Sequence, residues 1–178
     1  MYQITSKTYR EDTDRRQIRD LYFSAFPKVE RLPWWLIRLL AFQQKVNITA
    51  YYESDVFCGF TYDVTVADMV FLMFFAVDED KRGTGYGSAI LSYLKATNPG
   101  KTILLNIEPL DENADNYEQR VSRMHFYRKN GFFDTGYQIN EVGGTFCVMS
   151  TDPHLDTDAY RQVFQAISLG FWKPPIFQ

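Results

Sequence analysis

The stretch richest in chemistry is Val77-Asp-Glu-Asp-Lys-Arg82-Gly83-Thr84-Gly85-Tyr86-Gly87-Ser88, where an apolar run gives way to alternating glycines and then to a helical pattern. Glycines let a backbone approach a ligand closely with its N–H groups turned inward, a helix N-terminus favours negative charge, and Arg82 adds a fork of donors suited to phosphate oxygens. The expected ligand therefore carries phosphate. Spacing excludes the two commonest phosphate loops: GxxxxGK[ST] is absent, and the glycines run GxGxG instead of GxGxxG. Neither nucleotide hydrolysis nor a dinucleotide fold is supported.

Such a turn has to be held by a strand before it and a helix after it. The run Met69 to Val77, MVFLMFFAV, lacks alternation, as expected of a strand buried on both faces. After the turn, Tyr86, Ala89, Ile90, Tyr93 and Leu94 share one helical face until Asn98-Pro99-Gly100 stops it. Upstream, residues 2 to 8 read as a strand. A helix follows with Asp12 and Asp14 as candidate caps, Ile18, Leu21, Tyr22, Ala25 and Phe26 at helical spacing, and Pro27 at its end. Pro33 opens WWLIRLLAF, which is apolar on nearly every side. From Asn47 to Val77 three β-rich runs form an expected antiparallel meander, with turns at Ser54-Asp55 and near Ala67-Asp68.

Downstream, Ile103 to Glu108 reads as a strand. Asp115 and Asn116 are positioned to cap the next helix, with Glu118 and Gln119 three residues behind in a capping-box arrangement. Tyr117, Val121, Met124 and Arg128 would form that helix's stripe and Gly131 its C-terminal stop. The runs 132 to 140 and 143 to 150 would make a closing hairpin around Val142-Gly143-Gly144. A last helix is expected from Asp156, carrying Tyr160, Val163, Phe164 and Ile167 and ending at Gly170. The sum is one α+β domain over 1–178 with a mixed, largely antiparallel central sheet of about seven strands flanked by helices.

Composition narrows the function classes. The 178 residues carry a formal charge of −3, which disfavours nucleic acid as a partner, and 46% hydrophobic with 17% aromatic content excludes disorder. Cys58 and Cys147 have no metal-ligand spacing, and His125 and His154 have no third ligand in view, so no metal is expected. The N-terminus has no apolar h-region, and the longest apolar run is the nine residues Met69 to Val77, against about 20 for a membrane span. The expectation is a reduced, cytoplasmic setting and no membrane.

Arg82, Gly85 and Gly87 match the pyrophosphate loop of the GCN5-related N-acetyltransferase (GNAT) family, which this turn resembles: Gln or Arg, two residues, Gly, one residue, then Gly or Ala. Some forty residues on, Phe126-Tyr127-Arg128-Lys129-Asn130-Gly131-Phe132 is similar to that family's helix ending in Tyr, a few polar residues and Gly-Phe. The likeness covers at least 56–150 and implies an acyl-CoA N-acyltransferase type of sheet and acetyl transfer from acetyl-CoA to a primary amine, by direct attack in a ternary complex.

The resemblance also implies roles. Arg82, Gly83, Thr84, Gly85, Tyr86, Gly87 and Ser88 would present N–H groups to the pyrophosphate. The backbone of Phe75, Ala76 and Val77 would pair with the pantetheine arm like an added strand, where family members splay two strands apart. Tyr127 would be the general acid, since a phenol can donate to a departing thiolate; its plain alternative is a core or cofactor-contact tyrosine. An ammonium acceptor must lose a proton before attack, and Glu108, at the end of its strand, is the first candidate base; its plain alternative is a surface carboxylate before Pro109. Glu53 and Glu79 are weaker candidates. Where many members carry an Asn, this chain has Arg120, which either replaces that contact or points to solvent.

Trp34 and Trp35 lie where the family covers its acceptor site, with core packing as their other reading. The acceptor is open between a small-molecule amine and a protein amine. A non-catalytic acyl-CoA sensor or partner-binding module is the alternative from another class, and an enzyme for longer acyl chains is a third reading. The apolar C-terminus FWKPPIFQ needs a cover, which leaves a homodimer open.

Overall fold

The aromatic and β-branched runs of the sequence become strands, and the turns between them fall where the backbone takes positive φ. In the computed structural model, residues 2–9, 15–141, 144–168 and 174–178 are described. The candidate caps Asp12 and Asp14, the turn residues Val142 and Gly143, Gly170, and residues 171–173 of the C-terminal apolar segment lie outside them. The chain divides into two compact units, Met1–Thr65 with Leu72–Pro99, and Val66–Phe71 with Gly100–Gln178.

In the first unit, β1 (Ile4–Thr8), β2 (Val46–Glu53) and β3 (Val56–Val66) form an antiparallel meander, followed by β4 (Met69–Val77), whose residues from Leu72 on belong here. Ser54, Asp55 and Ala67 take φ of 48°, 66° and 49°, the left-handed conformation that tight turns between strands require. Two helices, α1 (Arg15–Ala25) and α2 (Trp34–Leu40), contribute to one aromatic core. Tyr22, at 0% exposure, sits among the rings of Phe26, Trp34, Phe60 and Phe74 at 5.1–6.5 Å. A second cluster joins Tyr51 and Cys58 to Ile90 of α3 (Tyr86–Thr97), with Phe75, Val77, Tyr86 and Tyr93 packed against it. Cys58 falls at the register shift between Tyr51 and Tyr52, where the regular alternation of faces is interrupted, so it joins this second cluster while Phe60, two residues on, packs in the first, and β3 is buried from Phe57 to Val64. Trp34 is half-buried, its ring 5.7 Å from Tyr22 and 6.1 Å from Phe23, whereas Trp35 is 67% exposed.

The second unit starts with Met69–Phe71 of β4, which pair in parallel with the start of β5 (Thr102–Ile107). Next come β7 (Gly144–Ser150), β6 (Phe133–Glu141) and β8 (Ile176–Phe177), all antiparallel, in the order β4-β5-β7-β6-β8. Helices α4 (Tyr117–Lys129) and α5 (Thr157–Ile167) belong to this unit. Asp156 caps α5 by accepting from the N–H groups of Asp158 and Ala159 at 3.0 Å, and Tyr160 and Phe164 pack on Phe71. The fold class is α+β, a mixed, largely antiparallel sheet flanked by helices.

Three expectations change. The strands number eight among the described residues rather than about seven, because Ile176 and Phe177 pair with Ile139 and Gln138; two residues after a double proline carry no strand pattern of their own. The capping box of α4 does not form: Asn116 is the N-cap but its side chain makes no cap bond, since Glu108 and Arg120 take it. Finally, Arg128 leaves the buried stripe. Its side chain is 58% exposed beside Asp134, and Tyr127 is buried with Met124 instead.

Candidate functional site

The loop after β4 is shaped by its glycines. Gly83 and Gly85 take φ of 75° and 103°, where a side chain strains the backbone, and nothing lies within 4 Å of a Cβ built on Gly83. Gly85 is the N-cap of α3 and supplies no side chain to cap it, so the first-turn N–H groups that every helix leaves unsatisfied are available to an outside acceptor. Arg82 donates Nε to the Val77 carbonyl at 3.2 Å, tying the loop to the strand end and keeping its terminal nitrogens as donors. Thr84 Oγ1 donates to Lys81 O at 2.6 Å. The loop is thus a backbone cradle with one guanidinium at its edge.

The segment Phe75 to Val77 that feeds this loop is fixed from the β3 side. A Cβ on Gly59 would run into the Ala76 carbonyl oxygen and lie 3.1 Å from the Val77 Cα, so only glycine permits the approach. The Asp78 N–H donates to Cys58 O at 2.9 Å.

In the second unit, Glu108 follows β5 and is surrounded by donors. Arg123 reaches Oε2 at 2.7 Å, Arg120 reaches Oε1 at 3.1 Å, and the Asn116 amide lies 3.2 Å from both oxygens. Burial pushes this carboxyl up, but the Asn116 amide and the Arg123 and Arg120 guanidiniums outweigh it and hold it below its ordinary value. Arg120 also donates to Asn116 Oδ1 at 2.7 Å and to Pro109 O at 2.9 Å; at 17% side-chain exposure it is not a solvated residue.

Tyr127 lies one turn beyond Arg123 on α4, its ring edge-on to Phe126 and Phe132. Burial raises its hydroxyl to about 12, opposed by the charge of Arg123. It is 9% exposed, and among the described residues no protein group accepts from it. Such a phenol keeps its proton at any physiological pH.

Residues 44–133, half of the chain, match the model of the "Acetyltransferase (GNAT) domain". The chain belongs to the GNAT acetyltransferase family. It is 36% identical over 63 residues to the Bacillus subtilis (strain 168) protein named "Putative acetyltransferase YjbC"; that match spans 35% of this chain and only 30% of the relative. A solved GNAT-family structure from Bacteroides thetaiotaomicron aligns with a TM-score of 0.75 at 19% identity, covering 96% of this chain and 99% of that one. Arabidopsis thaliana Naa50, solved with the bisubstrate analogue CoA-Ac-MVNAL, aligns with a TM-score of 0.59 at 20% identity, over 84% and 98% of the two chains. At these identities the solved structures establish the acyl-CoA N-acyltransferase fold, and acetyl-CoA is the family's co-substrate.

The 82–88 loop has features that suit a diphosphate: open space over Gly83, a helix start with no side-chain cap, and the Arg82 guanidinium anchored through Nε to the Val77 carbonyl. The structure gathers Val77 with Arg82 in one unit and Glu108 with Arg120 and Arg123 in the other. Several contacts escape sequence reading. Tyr2 donates to the Thr84 carbonyl and stacks on Tyr86, while Tyr86 donates to Glu53, which raises the Tyr86 hydroxyl to about 12. Tyr160 donates to Asn106 Oδ1 at 2.6 Å, and Asn106 donates to Glu141. Only the acidic and aromatic residue types were visible beforehand; separations of 33 to 84 residues give no local pattern. Among the described residues no group of three or more His, Cys, Asp or Glu is placed to hold a metal ion, and no helix is long and apolar enough to cross a membrane.

Proposed function

We propose that this GNAT protein transfers the acetyl group of acetyl-CoA to a primary amine by direct attack in a ternary complex. The observation that carries the reading is the uncapped, glycine-built cradle at Arg82–Ser88 within the family-matched region. Acetyl-CoA supplies a thioester-activated acyl group. The loop N–H groups and Arg82 bind its diphosphate, and the backbone of Phe75, Ala76 and Val77 pairs with the pantetheine amides in the manner of an added strand.

The balance of the reaction assigns two protons. A C–N bond forms as the C–S bond breaks, the amine gives up a proton, and the thiolate gains one. Tyr127 is the donor to the thiolate. With its hydroxyl near 12, it is a hydrogen-bond donor that follows charge onto sulfur, and complete transfer needs a thiolate whose own basicity burial has raised. Glu108 is the acceptor's base. Held ionised by two arginines, it accepts best through a water, relaying the ammonium proton outward rather than storing it. The acceptor is an amine of a small molecule or of a protein, and the −3 net charge suits a cationic one.

The test is calorimetric titration with acetyl-CoA of the wild type, Arg82→Ala and Gly85→Trp, followed by turnover over a panel of small and peptide amines. Binding by the wild type that either substitution abolishes assigns the coenzyme to the loop, and amine-dependent CoA release establishes catalysis. A folded wild type that does not bind acetyl-CoA overturns the reading. Binding without turnover on any amine points instead to an acyl-CoA sensor. Glu108→Gln is expected to lower kcat/KM by about 100-fold, the low end for a general base; a rate equal to wild type removes Glu108 from the chemistry.

A further inference from the structure

The GNAT loop motif begins at Arg82, but the structure brings a residue from the other end of the first unit onto it. Tyr2 Oη donates to the Thr84 carbonyl oxygen at 2.5 Å. Its ring stacks on Tyr86 with centroids 4.2 Å apart and planes 29° from parallel. Tyr86 is itself held by its hydroxyl bond to Glu53, and Glu53 is the residue of β2 that pairs with Ile4 of β1. The β1–β2 register therefore delivers Tyr2, two residues before Ile4, to the loop. A Cβ on Gly85 would stand 3.3 Å from the Tyr2 ring, so the glycine whose φ the turn requires also makes room for the tyrosine.

The consequence follows from the geometry of one peptide unit. In a trans peptide the C=O of Thr84 and the N–H of Gly85 point in opposite directions. A hydroxyl clamped on that carbonyl fixes the direction of the N–H behind it. It also neutralises the negative end of a dipole that would repel an anion were the peptide to flip. Because Gly83 and Gly85 make this loop intrinsically adaptable, some group must select the anion-binding orientation before the ligand arrives.

We infer that Tyr2 is a positioning residue for the diphosphate of acetyl-CoA, holding the Thr84–Gly85 peptide with its N–H turned to the ligand. This rests on the coenzyme reading of the loop given above. Tyr2 touches the loop and not the reacting atoms, so its effect falls on coenzyme affinity and not on the chemical step.

The test titrates wild type, Tyr2→Phe and Tyr2→Leu, each tagged at the C-terminus, with acetyl-CoA, with inorganic diphosphate, and with S-acetylpantetheine, which lacks the diphosphate. Loss of one hydrogen bond predicts that Tyr2→Phe weakens acetyl-CoA and diphosphate binding by about 2- to 10-fold, and loss of the ring stack makes Tyr2→Leu weaker still. Binding of S-acetylpantetheine stays at the wild-type level. In steady state KM for acetyl-CoA rises while kcat holds. Wild-type affinity in Tyr2→Phe overturns the inference, as does an equal loss for acetyl-CoA and S-acetylpantetheine, which would mark a general structural effect. A wild type that binds neither acetyl-CoA nor diphosphate overturns the parent reading and takes this inference with it.

Discussion

Between Arg82 and Ser88 the main chain is set by glycine φ values and leads to a helix start with no side-chain cap, whereas around Glu108 every partner is a side chain carried by α4 or its N-cap. The first arrangement depends on conformation and tolerates many side chains. The second depends on three particular partners and on the helix that presents them. A backbone site is therefore broken by adding atoms, and a side-chain site by removing them.

The largest effect expected on the side-chain region is Tyr127→Phe, which should lower kcat by about 100-fold, the low end for a positioned acid, while leaving the melting temperature unchanged because no partner among the described residues is lost. With the hydroxyl near 12, the wild-type pH–rate profile should show no alkaline fall near pH 10 arising from this group. An unchanged kcat in the variant would remove Tyr127 from the mechanism.

On the backbone side, Gly59→Val should strain the β3–β4 approach at Ala76, costing about 2 kcal/mol and lowering the melting temperature by roughly 4–8 °C. Coenzyme affinity should fall with it; a stable variant with normal affinity would show that the Phe75–Val77 backbone is not held in this way.

Two smaller effects sharpen the comparison. Tyr62 is also a buried tyrosine, but its hydroxyl is sealed from solvent without a partner among the described residues, so Tyr62→Phe should stabilise the fold by about 1 kcal/mol in a denaturant titration. A loss of stability there would indicate a bound water. Glu108 titrates below its ordinary value in the fold, so its contribution is present above the unfolded carboxyl pKa and is lost as pH falls through the folded one. With Arg123 half exposed the effect is small, and Glu108→Gln should flatten the acid side of the stability profile by about 1 kcal/mol. An unaltered acid limb would mean the arginines act on ligand rather than on Glu108.

Much of this molecule was readable residue by residue. The loop glycines, the β4 run without alternation, Asp156 as a cap and Gly131, with φ of 75°, as a helix stop are all local signals, and each governs its own backbone. Asn116 shows the limit. Its type and position predict a cap, yet Arg120 donates to its Oδ1 at 2.7 Å while its amide nitrogen turns to Glu108, and a charge-assisted bond to that oxygen outcompetes the neutral cap bond. Arg120 was open between ligand and solvent for the same reason, and the fold brings it to Glu108. The strand at Ile176–Phe177 is shorter than any pattern can register.

The sequence by itself determined the family, the order of the elements except β8, and the glycine-built turn ahead of α3, because glycine conformation and helix polarity act within a few residues. Only the tertiary structure decided that Tyr2 sits on that turn, that Glu108 is bracketed by two arginines, and that the Tyr127 hydroxyl is buried with no acceptor among the described residues. These depend on contacts across many residues, where strand register and helix packing, not local propensity, choose the neighbour.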